Sequence, residues 1–381
     1  MFKKSLAAIA VLGTAAGFAC AADVTLYGIV DEGFLFNQTK VEKHDGTTEK
    51  TNSFGLESGV SSGSRFGLKG TEDLGNGLKV GFKLENAFSA DDGTLGGDRL
   101  FNREASLTVS GAFGALSMGR MGGVGSSAGV DSVYGTADAF DGGDNSILGL
   151  AISSRMDNMV QYQTPVFAGL QGTFQYSFKG NNVKDEDAVT YDPATGREGS
   201  AATDRYASAA LNGNFGPLQT VLAYEFFNYA SNDGTVRNDV EDGQIVYLGG
   251  NYDCGFAKTF LMAQYFKDID SDQLAAAENG IFAGTYEGYG VHLGTQFAAL
   301  GGDWTFGGYY VDGNTVEKDA ANERDLTYYG IGAKYEYALS KRTSLYTGAG
   351  YGKTTLDAAT AADKDTVEKV TQAYVGLTHR F

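Results

Sequence analysis

The chain is poor in proline, with three among 381 residues, and it holds only two cysteines, three histidines and one tryptophan. Scarce proline leaves long stretches free to form paired backbone, because proline cannot donate to a strand ladder. Cys20 falls in an amino-terminal segment that reads as removable, so Cys254 would be left alone and no intramolecular disulfide can form. His44, His292 and His379 are widely separated, which indicates neither a metal cluster nor a Ser-His catalytic pair. Basic side chains are outnumbered, 29 Lys and Arg against 47 Asp and Glu, and the formal net charge of −18 disfavours nucleic acid as a partner. Long apolar runs are missing as well. The longest, Leu6 to Phe18, falls short of the roughly 20 residues a spanning helix needs, and the mean hydropathy is −0.21.

What is present at the amino terminus is Lys3 and Lys4, that short apolar run, and then Ala19, Cys20 and Ala21 as small residues at a cleavage site, which reads as a secretory signal peptide over residues 1–21. Gly17, Phe18 and Ala19 do not make a lipobox before Cys20. Cleavage removes two of the 29 basic residues and none of the 47 acidic ones, so the formal net charge moves from −18 to −20. From residue 22 to residue 381 no Pro-rich or Ser-rich linker interrupts a uniform texture, and one large unit is expected in place of two domains.

That texture is rich in Gly (55), Phe (24) and Tyr (22) and alternates with period two. In Lys79 to Phe88, the side chains of Val80, Phe82 and Leu84 share one face and those of Lys79, Gly81, Lys83 and Glu85 the other. A transmembrane β-barrel has this pattern, since each strand shows lipid one face and a wet lumen the other and never builds a continuous apolar run. Sixteen such segments begin near Val24, Ser64, Leu78, Phe101, Ala115, Ser154, Gly169, Asp204, Leu218, Gly243, Phe256, Tyr286, Asp303, Arg324, Thr343 and Val370. The connections alternate in length. Seven are tight, at Glu72 to Gly77, Gly111 to Gly114, Pro165 to Ala168, Asn214 to Pro217, Asp253 to Gly255, Ala299 to Gly302 and Leu339 to Arg342. Eight are long and polar, among them Asn181 to Thr203, Ser231 to Asp242, Lys267 to Thr285 and Thr354 to Lys369. A soluble β-sandwich would require a continuous apolar core face and no such alternation.

Aromatics recur near strand ends, at Phe34, Phe36, Phe88, Phe226, Phe227, Tyr309, Tyr310, Tyr328 and Tyr329, where an interfacial girdle would sit. The last segment puts Ala373, Val375, Leu377, His379 and Phe381 on one side, and Phe381 is expected to complete the strand that closes the barrel on the first.

Four stretches carry a resemblance to a known family: VTLYGIVDEG (Val24 to Gly33), GSRFGLKGTEDLGNGLKVGFKLE (Gly63 to Glu85), LFNREASLTVSGAFGALSMGR (Leu100 to Arg120) and VGLTHRF (Val375 to Phe381). Together they resemble the general trimeric porins of Gram-negative bacteria, most closely the betaproteobacterial branch. The resemblance implies an all-β, 16-stranded antiparallel transmembrane barrel in the outer membrane, assembled as a homotrimer, with the third external loop folded inward as a constriction. It also implies outer-membrane lipid and lipopolysaccharide around the barrel, insertion machinery that reads the C-terminal strand, passage of ions and small hydrophilic solutes, and no cofactor. The candidate loop is Gly122 to Ile152, which carries Asp131, Asp138, Asp141 and Asp144 and no Lys or Arg. On the wall opposite, the positions that match the family's arginines are Arg65, Arg103 and Arg155. Arg65 and Lys69 fall on the polar parity of their strand, as does Lys83. Arg103 shares parity with Ala105, Leu107 and Val109, so either a bulge re-aims it or it lies at the interface.

Two other stretches resemble known binding motifs only in part. Gly119 to Gly125 has no Lys-Ser or Lys-Thr after it and no helix pattern, so it makes a poor phosphate cradle. Asp268, Asp270 and Asp272 alternate like a calcium loop, yet Gln273 and Asn279 stand where glycine and glutamate are needed. The leading expectation is a passive diffusion channel. Its rivals are a channel selective for a sugar or organic anion and, from another class, an outer-membrane hydrolase. Because the external acids outnumber the wall bases, a weak cation preference is expected.

Overall fold

The computed structural model describes residues 23–97, 99–142, 147–179, 204–229, 241–277, 281–317, 322–360 and 362–381. The signal-peptide reading over residues 1–21, Asp144, the loop Asn181 to Thr203 and all but the end of the loop Ser231 to Asp242 lie outside the described residues.

Strand-forming alternation dominates the fold. In chain order the strands are β1 (Asp23–Glu42), β2 (Thr48–Ser58), β3 (Arg65–Gly75), β4 (Leu78–Ala87), β5 (Glu104–Gly111), β6 (Gly114–Gly122), β7 (Arg155–Gln163), β8 (Leu170–Ser177) and β9 (Arg205–Phe215). They continue as β10 (Leu218–Asn228), β11 (Gly243–Asp253), β12 (Lys258–Asp270), β13 (Thr285–Ala299), β14 (Gly302–Thr315), β15 (Asp325–Ala338), β16 (Thr343–Leu356) and β17 (Thr366–Arg380). A single helical turn, α1 (Val133–Ala137), sits in the connection after β6.

All pairings are antiparallel between neighbours, and β17 returns to pair with β1 from Ile29 opposite Arg380 to Glu42 opposite Val367, so the sheet is closed. The closure extends to the last residue: Gly28 and Phe381 exchange two backbone hydrogen bonds of 3.1 Å. Seventeen segments fill sixteen positions around the ring. Both β2 and β3 pair with β1, one with its upper half and the other with its lower half, and they run in the same direction as a single strand broken at 59–64.

The seven tight connections fall where the alternation puts them, and Asn76 and Gly77, both with positive φ, make the turn between β3 and β4. The first and the last of the long connections are shorter than the sequence suggests. The first is only 43–47, because the period-two pattern continues past residue 36 and returns from residue 48 as an extended hairpin. The last strand likewise starts at Thr366, not Val370.

Facing follows the alternation. On β10, Leu222 and Tyr224 are exposed on the outer surface, while Val221, Ala223, Glu225 and Phe227 are buried toward the lumen. The girdle reading therefore needs correction at three positions. Phe227, Tyr309 and Tyr328 are buried inside, and their neighbours Phe226, Tyr310 and Tyr329 face outward, because adjacent strand residues cannot share a face.

Candidate functional site

The connection after β6 turns into the barrel and lies against the lumen face of the far wall. Val124, Val133, Tyr134, Ile147 and Leu150 are fully buried there, against Ile245, Tyr247, Met262, Phe266, Tyr286 and Val311. This explains apolar residues on what should be a wet face: the loop, not lipid, covers them. The wall makes room with small residues. A Cβ on Gly294 would sit 2.4 Å from that of Ala139, so glycine is what lets the loop tip approach so closely.

Polar wall residues hold the loop's backbone, as buried amides require. Glu225, wholly buried, accepts from Gly125 N at 3.0 Å and from the hydroxyl of Tyr247 at 2.8 Å. Gln264 accepts from Ala151 N at 2.8 Å, Asn251 donates to Thr136 O at 2.7 Å, and Gln296 donates to Ala139 O at 2.6 Å. His292 is the most informative of these anchors. Its Nε2 accepts from Ala139 N at 3.1 Å, so the partners assign the proton to Nδ1, which donates to Gly308 O at 3.0 Å, and the ring stacks on Tyr309 with centroids 4.4 Å apart.

Asp138 joins this anchor. Its carboxylate has no exposed surface and accepts from Tyr309 Oη at 2.7 Å, Phe140 N at 2.8 Å and Gly142 N at 3.3 Å. The expectation that Asp138 lines the gap is therefore corrected: it faces the wall and fixes the tip, because the turn at 138–142 needs an acceptor for its own amides. Asp131 is also engaged, accepting from Gln163 Nε2 at 2.8 Å. Asp141, by contrast, is accessible to the lumen. Its carboxyl is pushed up to about 6, first by the surrounding protein and then by the charge of Asp138, while Arg65 acts in the opposite sense. Asp144 lies outside the described residues.

The basic residues collect on the other side, on the strands from β3 to β7. Arg103 stands just before β5 in a bend, and its Nε donates to Glu85 at 2.7 Å, so it points inward and the parity conflict disappears. Tyr27 donates to the same carboxylate at 2.8 Å, and Lys83 pairs with Glu104 at 2.6 Å. Arg120, which the sequence reading did not single out, pairs with Asp157 at 2.6 Å. Arg155 lies within electrostatic reach of Arg103, Glu85, Arg120 and Arg65. Lys69 stands over the Tyr27 ring at 5.2 Å and lines a polar niche of ≈ 420 Å³ with Lys83 and Glu104. Among the described residues, neither Arg65 nor Arg155 has a carboxylate within ion-pair distance, and the Nε of each lacks a hydrogen-bond partner. The structure thus brings Arg65, Arg103 and Arg155 together with Lys83 on one wall, facing the loop that carries Asp141.

The anchors Glu225, Gln264, Asn251, Gln296 and His292 were missed by the sequence reading. Their only signal was a polar side chain on the inward parity of a strand, which a wet lumen explains equally well.

Comparison with known proteins places this architecture. A family model described as Gram-negative porin matches residues 6–358. An outer membrane porin protein of Bordetella pertussis is 33% identical across the full length of both chains, and outer membrane porin protein 32 of Delftia acidovorans is 28% identical, again over 100% of each. A solved structure described as an anion-selective porin from Comamonas acidovorans is similar with a TM-score of 0.62 at 26% identity, covering 95% of this chain and 100% of that one. The chain therefore belongs to the Gram-negative porin family, and its closed barrel is an outer-membrane channel for passive diffusion.

Proposed function

We propose that the narrow section of this channel favours small anions, and that the acidic mouths modulate that preference without setting it. The observation that carries the reading is the pair Arg65 and Arg155, two guanidinium groups on the wall without a carboxylate partner among the described residues. Across from them, the loop keeps Asp138 locked in its anchor and offers Asp141. The sequence-based expectation of a weak cation preference weighed total charge. In a constricted pore the charges nearest the ion path dominate, since those farther than a Debye length of about 10 Å at 0.1 M salt are screened. The similar porin from Comamonas acidovorans is described as anion-selective, which agrees.

The channel acts without turnover, and the relatives are channels. It assembles as a homotrimer, in keeping with a fold neighbour described as a trimer, the Vibrio cholerae OmpT at 17% identity. Residues 1–21 direct export and are removed. The test is the reversal potential of the purified protein in a planar bilayer under a potassium chloride gradient. A potential of the sign set by chloride supports the reading, and one set by potassium overturns it.

A further inference from the structure

The connection between β12 and β13 leaves the external rim and turns into the barrel, as the loop after β6 does. Its described residues, 271–277 and 281–284, open with two single turns of 3-10 helix at Ser271–Gln273 and Ala275–Ala277. Leu274, Ala277 and Phe282 have no exposed surface and Ala276 has almost none, although a loop at the mouth of a channel should be wet. They belong to the same apolar cluster as Ile147, Leu150 and Ala151 of the first inward loop.

Backbone joins the two loops as well. Ile152 N donates to Gln273 O at 2.9 Å, Ala275 N to Leu150 O at 3.3 Å and Ala276 N to Gly149 O at 3.2 Å, and Ala151 and Leu274 stand opposite one another as an isolated antiparallel bridge. Buried amides and carbonyls need such partners, so each loop supplies what the other would lack. The wall fixes the second loop at both sides: Thr354 of β16 donates to Ala276 O at 2.9 Å, and Tyr229, just past β10, donates to Gln273 Oε1 at 2.9 Å. One short loop is thus held from β10 round to β16.

Apolar wall residues account for the inward path. Leu326 and Leu356 lie opposite each other near the external ends of β15 and β16, both on the inward parity and both buried. Leu274 and Phe282 join them in the cluster, where water would leave that apolar surface exposed. Below, the first inward loop is already pressed to the wall, since a Cβ on Gly290 would lie 2.5 Å from Leu150. The second loop therefore adds a layer over the β10 to β16 side of the lumen, and the open path is left along the basic wall from β3 to β7.

We propose that residues 271–277, held down by Phe282, are a second constriction element. They seal the β10 to β16 side of the external vestibule, confine entering solutes to the side that carries Arg65, Arg103 and Arg155, and set the size limit together with the first inward loop. The proposal rests on the barrel being a diffusion channel and on nothing about its ion preference, so either can fail alone.

Ser271 N donates to Gly284 O at 2.9 Å, so replacing residues 272–283 by Asn-Gly leaves a two-residue hairpin turn that the flanking strands accept. The second layer adds about 5 Å, one strand spacing, to a narrow section of roughly 10 Å built by the first loop. Resistance follows length, so the shortened protein in a planar bilayer should conduct about 1.5-fold more, and it should admit larger neutral sugars in liposome swelling. Unchanged conductance and size limit in a folded, heat-modifiable variant overturns the proposal. So does a resting current at the wild-type level with added flicker, which would mean that the first loop has merely loosened. A second variant tests the contact in the complete chain: Ala151→Cys with Leu274→Cys, in a Cys254→Ser background that removes the exposed thiol. Residues opposite one another in an antiparallel pair have Cα atoms about 4.5–5.5 Å apart, within reach of a disulfide. Mild oxidation should link them and leave conductance unchanged. A link that does not form, or one that lowers conductance, overturns the proposal even if the shortened chain fails to fold.

Discussion

Neutralising Arg65 and Arg155 isolates the charge that the constriction presents to a passing ion. These two are the right targets because neither holds a carboxylate among the described residues, so replacing them with glutamine strands no buried anion. Arg103→Gln would abandon Glu85 instead. A unit charge about 8 Å from the ion path in a water-filled lumen shifts a monovalent ion by roughly 0.5 kcal/mol unscreened, and by roughly 0.2 kcal/mol at 0.1 M salt. Anion and cation shift in opposite directions, so each arginine removed should lower the chloride-to-potassium permeability ratio about twofold, and the double variant about fourfold. Reversal potentials of the purified wild type and the Arg65→Gln, Arg155→Gln double variant read this directly. At 1 M salt, where the Debye length is about 3 Å, the difference should nearly vanish. An unchanged ratio at low salt would show that these side chains do not face the ion path. A shift that persisted at 1 M would show a change in pore shape, not in field.

Asp141 supplies the opposite sign. Since its carboxyl titrates at about 6, lowering the pH through that value removes a negative charge from the gap, so chloride preference should rise below pH 6 and be flat there in Asp141→Asn. A pH response that survives the substitution would assign it elsewhere. Asp138→Asn should act on the loop more than on selectivity, because its one amide oxygen can still accept from Tyr309 and Phe140 while its NH2 cannot accept from Gly142 N. A loss of about 1–3 kcal/mol of local stability follows from the one amide left unsatisfied, visible as noisier single-channel current, and a quiet channel with altered selectivity would contradict it. At the closure, a Cβ on Gly28 would lie 2.4 Å from the Phe381 ring and 2.6 Å from Arg65 O. Gly28→Val should therefore reduce the folded, heat-modifiable band on a gel, and normal folding would disprove the close packing.

Much of the fold was legible along the chain, and the reason is local. Period-two alternation, seven tight turns and the closing strand are written in neighbouring residues, because a spanning strand has to show lipid and water on alternate sides. Even the closing strand kept its assigned face, with Val375 and Leu377 outward and Tyr374 and Thr378 buried inside. The wall arginines were legible through motif resemblance and, for Arg65, through parity. Arg103 defied parity because it precedes its strand in a bend, where alternation no longer applies.

What the tertiary structure alone decided is which charges reach the gap and which are consumed by the scaffold. Asp138 and Asp141 are three residues apart and chemically identical, yet one is sealed against Tyr309 and His292 and the other meets the lumen. His292 and Glu225 looked like isolated polar residues until strands far apart in sequence brought the loop onto them. Lys40, Lys50, Lys353 and Lys369, too, are scattered along the chain, and only the register of a closed sheet sets them opposite one another on four adjacent strands. Alternation fixes which side of a strand a side chain takes. Its partner across the lumen, or on the next strand around the ring, is set by closure and by the path of the inward loop, and neither is encoded in any single stretch of sequence.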